Sequence, residues 1–367
     1  MLLDLARRAW NFPGRLSHRV ALSKRSFQAP PGAPVVAFGA AEPRDGELIH
    51  GGRVKLLHLK RAFEHSESRF NFLYLVSSAM PPHALDLVRW AHECGAKFVW
   101  NQNGVGFPAW AGARFAAVNR PMKELLTLAD FVVYQSEFCK TSADRWLGPA
   151  RCPSKVLFNP VDLDAFSPAP EPPSVDCWRL LAAGTHHQAA RILGAIETVR
   201  NLRAAGRNAV LTIAGELRWP DAQREVREAL DRWNIEKSVE FRPPFTQAEA
   251  AGLLRSAHVL LHLKYHDPCP TMVIESLACG VPVFGSRSGG MPELLGKEGG
   301  ELIDVPVSWE KSSYPGAEEM AVAVERIMAN WPERSRAARL RAERLFSSTK
   351  WVQDHGELFR EILSVAN

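Results

Sequence analysis

From Pro34 onward, apolar runs of strand length alternate with amphipathic runs of helix length, and few folds besides parallel sheets covered by helices satisfy that alternation. The first half predicts strands at Val35–Phe38, Phe72–Val76, Lys97–Trp100, Phe131–Tyr134 and Val156–Phe158, each short and rich in Val, Phe or Tyr. Between them, leucines recur at three- and four-residue spacing in 52–64 and 84–94, which predicts helices. The stretch DLDAFSPAPEPPSVD, residues 162–176, then breaks the pattern with four prolines and little periodic apolar content, the composition of a joint. Beyond it the alternation resumes, with strands expected at Leu180–Ala183, Ala209–Ala214, Val239–Phe241, Val259–Leu263, Val281–Gly285 and Glu301–Val305. The expected organisation is a basic segment 1–33, a first α/β domain 34–165, a linker 166–177, a second α/β domain 178–349 and a terminal helix 350–367 that packs back on the first domain. The chain's 367 residues suffice for two such cores. Two doubly wound halves facing each other leave a cleft between their carboxyl edges, where such sheets bind ligands.

With 46% hydrophobic and 23% charged residues, the composition is that of a globular protein, and no apolar run reaches the roughly 20 residues of a membrane-spanning helix. The start, MLLDLARRAW, carries an acid and two arginines where a signal peptide has its apolar core, which points to a cytoplasmic protein. Six cysteines without a CxxC pair or partnered histidines argue against a zinc site and against a disulfide framework. The net charge of +5 is concentrated in residues 1–25, where Arg7, Arg8, Arg15, Arg19, Lys24 and Arg25 face only Asp4. Leu2, Leu3, Leu5, Trp10 and Phe12 interleave with these bases, a mixture that fits either peripheral contact with an anionic membrane or a solvated helix packed on a neighbouring domain. No nucleic-acid-binding motif accompanies it. The Arg-rich run 334–344 reads as a solvated helix face.

The chemistry concentrates in HDPCPTMVIESLACGVPVFG, residues 266–285. Here a helix begins just after Pro270 and stops at Gly280, directly after a strand, so residues 264–269 form a strand-to-helix loop at a carboxyl edge. Free amides at the helix start, those of Thr271 and Met272, together with the positive end of the helix dipole, favour a phosphate. Lys264 stands where its ammonium neutralises a diphosphate. Glu275, about a turn further on, carries a carboxylate that can accept both hydroxyls of a ribose diol, and Asp267 can accept from sugar hydroxyls. An acid near a helix start also stabilises the dipole in any protein, and Asp267 has the alternative role of a helix cap.

Asp267 and Glu275, followed by SLACGVPVFGSRSGGMPELL, closely resemble the motif of the retaining glycosyltransferases of family 4, in which two acids precede an Ala-Cys-Gly-x-Pro-Val turn and a Gly-Gly-x-x-Glu element. The first acid is Asp where the family commonly has Glu. The resemblance implies an α/β fold of the GT-B type, two Rossmann-like parallel-sheet domains facing across a cleft. It extends, more weakly, to Gly51-Gly52, which resembles the family's glycine loop near the donor phosphates and acceptor and reads equally as a turn. Ser136-Glu137-Phe138, Asn159-Pro160-Val161-Asp162 and Ala214-Gly215-Glu216 resemble structural landmarks of the same family.

The departures are as informative. The family usually places an Arg directly after a glycine and a Lys about five residues later, both on the diphosphate, whereas AAGTHHQAARIL has Thr185 after Gly184 and Ala190 at the lysine position. Arg191 and Lys264 are the candidate replacements; Arg191 is otherwise a solvated helix residue, and His186 and His187 are otherwise bystanders. In NQNGVGFPAW, residues 101–110, Asn103 stands near the position where many relatives carry a histidine that touches the donor sugar, and Asn103-Gly104 is alternatively a turn. Phe107 and Trp110 serve either an acceptor or the core.

The resemblance implies sugar transfer from a nucleotide-sugar to a glycan or lipid-linked acceptor of the bacterial envelope. It also implies retention of configuration without a protein nucleophile, metal ion or other cofactor, and closure of the halves about the joint. Catalytic roles fall on Asp267 and Glu275, and donor binding on Lys264, Thr271, Met272, Arg191, Gly51, Gly52 and Asn103. The missing Arg/Lys pair leaves open a GT-B protein that binds a glycan or partner without catalysis.

Overall fold

A computed structural model describes residues 22, 27–39 and 52–365. Two six-stranded sheets organise them. The first contains β1 (Val35–Ala37), β2 (Glu64–His65), β3 (Phe72–Val76), β4 (Lys97–Gln102), β5 (Phe131–Tyr134) and β6 (Ser154–Val156) in the order β2-β1-β3-β4-β5-β6. The second contains β7 (Trp178–Ala183), β8 (Ala209–Ala214), β9 (Val239–Arg242), β10 (Val259–His262), β11 (Val283–Ser286) and β12 (Gly300–Ile303) in the order β12-β11-β10-β7-β8-β9. All pairings are parallel. β3 and β5 are buried along their whole length, as continuous apolar runs must be when helices cover both faces. Each sheet reverses its order beside its first strand, so crevices open where β1 meets β3 and where β7 meets β10.

The helices 84–93, 115–126 and 137–146 bury one face of the first sheet through residues such as Val88, Met122 and Ala143. Its other face is covered by Leu56 and Leu59 of Arg53–Ala62 and by Trp351, Leu358 and Phe359 of the terminal helix Ser348–Val365. In the second sheet one face packs on Thr271–Ala278, Gln247–Arg255 and Trp331–Leu345, and the other on Ala189–Ala204, Ala222–Trp233 and Ala317–Met328. Residues 162–176 contain no strand or helix. Among the described residues, no helix is long and apolar enough to cross a membrane.

Three expectations change. The strand expected at 156–158 lies at Ser154–Val156, because Leu157 and Phe158 leave the sheet to pack in different cores, Phe158 against Phe346 of the second half. The strand expected from Val281 begins at Val283, since Pro282 has no N–H to give the ladder. The Arg-rich helix is not simply a solvated face. Buried Arg341 donates to the carbonyl of Glu293 at 2.8 Å and to the Glu298 carboxylate at 2.9 Å. Arg339 donates to the carbonyls of Phe166 and Ala278, both at 2.8 Å. Guanidinium groups have several donors and no acceptor, so they serve the carbonyls left unpaired at helix ends and turns. The basic segment before residue 27 lies, apart from Leu22, outside the described residues.

Candidate active site

A cavity of about 650 Å³ opens between the carboxyl edges of the two sheets. Gly52, Ser77, Ser78, Asn103 and Gln135 line it from the first half. Arg191, Lys264, Asp267, Thr271 and Met272 line it from the second. The predicted residues thus converge, with the exceptions of Glu275 and Gly51.

On the second side, β10 ends at His262 and the chain turns into the helix Thr271–Ala278. Asp267, buried in this loop, receives Lys264 Nζ at 3.0 Å and has His262 Nε2 at 3.4 Å from the same oxygen. Burial alone would raise its carboxyl, but Lys264 and His262 outweigh it and hold Asp267 well below the usual carboxylate range. Asp267 is therefore a fixed anion that can only accept hydrogen bonds. The loop is shaped from behind by Gly289 and Gly290: Gly290 N donates to Asp267 O at 2.9 Å, and a Cβ on Gly289, whose φ is +65°, would lie 2.8 Å from Asp267 N. The helix that follows has Pro270 as its cap residue, and no side chain satisfies its first amides. Thr271 and Met272 line the cavity, and the amides of a helix start are donors suited to an anion.

Across the crevice, β7 ends at Ala183, just before Gly184, and the helix Ala189–Ala204 carries Arg191 in its first turn. Arg191 is 9% exposed, and its Nε meets no hydrogen-bond partner among the described residues. A buried guanidinium edge on a cavity wall can donate to a ligand there. His187 lines the cavity, whereas His186 is buried with its Nε2 3.3 Å from Ala214 O; burial pushes His186 down to about 4, so it is neutral.

Glu275 takes a different place. It lies on the buried side of the helix, off the cavity wall, and accepts from Gln247 Nε2 at 2.5 Å. Burial pushes its carboxyl up to about 7. Gly51 falls outside the described residues. Gly52 opens the helix Arg53–Ala62, and a Cβ there would come within 2.6 Å of Val76 Cγ1. Asn103 is buried, with its side-chain oxygen 2.7 Å from Lys55 Nζ. Lys55, which the motif reading passes over, is itself buried; its place in a leucine-rich helical run hid it, and the spacing from Gly52 was the available clue. Phe107 is buried and Trp110 exposed, and both line the cavity. Among the described residues no group of three or more His, Cys, Asp or Glu is arranged to hold a metal ion.

Residues 175–340 match the family described as glycosyl transferases group 1. The match covers the second α/β half of the chain. Over 151 residues the chain is 34% identical to the GDP-mannose-dependent alpha-(1-6)-phosphatidylinositol dimannoside mannosyltransferase of Mycobacterium tuberculosis, covering 40% of its own length and 35% of the relative's. Over 75 residues it is 37% identical to the D-inositol 3-phosphate glycosyltransferase of Streptomyces bingchenggensis, covering 20% and 16%. The matches thus span about a third or less of those relatives. The crystal structure of Anabaena Alr3699/HepE in complex with UDP-glucose superposes with a TM-score of 0.68 over 89% of this chain and 100% of that one, at 13% identity. The two sheets are accordingly the GT-B arrangement.

Residues of the motifs described above also join the two halves. Ser136 caps the helix Glu137–Trp146 by accepting from Cys139 N at 2.9 Å, and its hydroxyl donates to Pro268 O at 2.7 Å. Glu293, of the Gly-Gly-x-x-Glu element, accepts from the amides of Glu137 and Phe138 of that same helix, both at 2.7 Å. Asn159 Nδ2 donates to Cys269 O at 2.7 Å, and Ala109 N to Trp309 O at 2.8 Å.

Proposed function

We propose that this chain is a retaining glycosyltransferase that moves a sugar from a nucleotide-diphosphate donor to a glycan or lipid-linked acceptor in bacterial envelope synthesis. The observation that carries the reading is the second-side wall, where Arg191, Lys264 and the uncapped helix start share one cavity with an obligate carboxylate, Asp267. The names of the relatives, a GDP-mannose-dependent mannosyltransferase among them, and of the UDP-glucose-bound neighbour support a nucleotide-sugar as donor.

As the sugar departs, negative charge grows on the diphosphate, and donors already aimed at that position lower the barrier more than they tighten the ground state. Arg191, Lys264 and the amides of Thr271 and Met272 supply these donors, and Asp267 accepts from a sugar hydroxyl. No protein nucleophile is assigned; the leaving phosphate takes the acceptor's proton, and configuration is retained. The bases of residues 1–25 are the candidate for peripheral contact with the cytoplasmic face of an anionic membrane, the alternative being a solvated segment packed on a neighbouring domain. Thermal unfolding with UDP, GDP and ADP tests the donor site: a nucleoside diphosphate at a hundredfold excess over its Kd stabilises by about 2.7 kcal/mol, and this gain disappears in Arg191→Met. No shift with any of the three rules the donor site out.

A further inference from the structure

Lys55 is buried, 3% exposed, and its ammonium is met by three carboxamide oxygens: Asn101 Oδ1 at 2.7 Å, Asn103 Oδ1 at 2.7 Å and Gln135 Oε1 at 3.4 Å. An ammonium only donates, so each amide must turn its oxygen inward and its NH2 away. Asn101 then donates to Tyr74 OH at 2.8 Å, and Tyr74 lies 3.0 Å from His355 Nε2. Asn103 donates its side-chain NH2 to Ser78 Oγ at 2.5 Å and its backbone N–H to Ser77 Oγ at 2.8 Å. Both serine oxygens therefore act as acceptors on the protein side, and their own protons are left for the cavity that both residues line. Gln135 lines the same cavity, with its oxygen held by Lys55 and its NH2 free to face inward.

We propose that Lys55 is a positioning residue which, through Asn103 and Gln135, makes the first-side wall a surface of hydrogen-bond donors for the oxygens of the transferred sugar. This assignment rests on the nucleotide-sugar reading of the cavity. It separates two tasks: the second side holds the diphosphate, and the first side, through Ser77, Ser78 and Gln135, grips the sugar by its lone pairs. Substituting aspartate at Asn103 tests the polarity itself. Its carboxylate keeps an oxygen on Lys55 but offers a second oxygen to Ser78, which reverses that hydroxyl away from the cavity.

The experiment compares dissociation constants of UDP with UDP-glucose, and of GDP with GDP-mannose, by titration calorimetry on the full chain. The ratio within each pair isolates the contribution of the sugar. The wild type is expected to bind one nucleotide-sugar more tightly than its nucleotide. Lys55→Met, Asn103→Asp and the double variant Ser77→Ala/Ser78→Ala each reduce that ratio about tenfold, the scale of one lost hydrogen bond, and change nucleotide affinity less than twofold. If Lys55→Met does not fold, the other two variants carry the test, since both leave the ammonium paired. An unchanged ratio in those two, an equal loss of nucleotide and nucleotide-sugar, or no sugar contribution in the wild type overturns the assignment of Lys55. Absence of any nucleotide binding by the wild type removes the underlying reading and this assignment with it.

Discussion

The Lys55 network behind the first wall of the cavity and the buried groups of the second wall differ in how far they are already satisfied. On the first side, Lys55 has an acceptor for each of its three protons, and Asn103 uses its backbone N–H and both side-chain polar atoms. On the second side, the Nε of Arg191 and the Nδ1 of His266 are buried without partners among the described residues, and the first amides of Thr271–Ala278 have no side-chain cap there. His266 also holds a left-handed backbone, with φ 51°, at the turn into Asp267. Each unpaired buried group costs about 1–3 kcal/mol. A saturated network fixes geometry before any ligand arrives, whereas an unsaturated one is completed by its ligand, so the contrast separates positioning from binding.

The largest test of this contrast uses Glu275, buried behind the second wall. Its folded carboxyl titrates at about 7 against an ordinary value of 4.5, so its contribution to stability is intact below about pH 4.5 and is lost as pH rises through about 7. Glu275→Gln should therefore gain on the order of 3 kcal/mol over the wild type at pH 8 and little at pH 4.5. Denaturant melts at the two pH values measure this, and equal effects at both would show that the second side carries no such strain.

Arg191→Met comes next. Loss of a charge-assisted contact to a diphosphate should weaken nucleoside diphosphate binding on the order of a hundredfold, with the melting temperature of the ligand-free protein unchanged or raised. A destabilised variant with normal affinity would place Arg191 with the structural residues instead.

Lys55 sharpens the other side of the comparison. Burial lowers it to about 8, while the groups facing it lie far from that range: Cys139 and Cys269 are pushed up to about 12, and His355 down to about 4. Above about pH 8 the neutral amine has one donor too few for its three acceptors. The affinity added by the sugar should fall several-fold through that pH in the wild type and stay flat in Lys55→Met, as calorimetric titrations from pH 6.5 to 9.5 would reveal.

The smallest effect is expected at the junction of the walls. Glu293→Ala removes the acceptor of two amides at the start of Glu137–Trp146, an interaction worth about 1 kcal/mol. Scattering profiles should show a modestly larger radius of gyration without ligand, and donor KM should rise severalfold with kcat little changed.

The sheets were legible because parallel strands buried on both faces are continuous apolar runs; Phe72–Val76, Phe131–Tyr134 and Ala209–Ala214 begin and end as their residues indicate. The edge strand Glu64–His65 was not, since two polar residues carry no such pattern. At the site, Lys264, Asp267 and the helix start were readable from local spacing. Arg191 was found only as a candidate, because a base in the first turn of a helix looks the same whether it meets solvent or a cavity. Lys55 was missed for a related reason: its three partners lie 46, 48 and 80 residues away, on strands whose alignment only the folded sheet creates. The arginines of 334–344 mislead in the opposite sense, because carbonyls at helix ends leave no trace in a sequence.

The terminal helix Ser348–Val365 has a consequence for biosynthesis. Trp351, Leu358 and Phe359 cover the face of the sheet that holds Phe72 and Tyr74, and His355 meets the Tyr74 hydroxyl. The first half therefore lacks one flank of its interior until the second half and residues 348–365 have been made. A nascent chain with that flank bare is exposed to aggregation until residues 348–365 leave the ribosome and cover it.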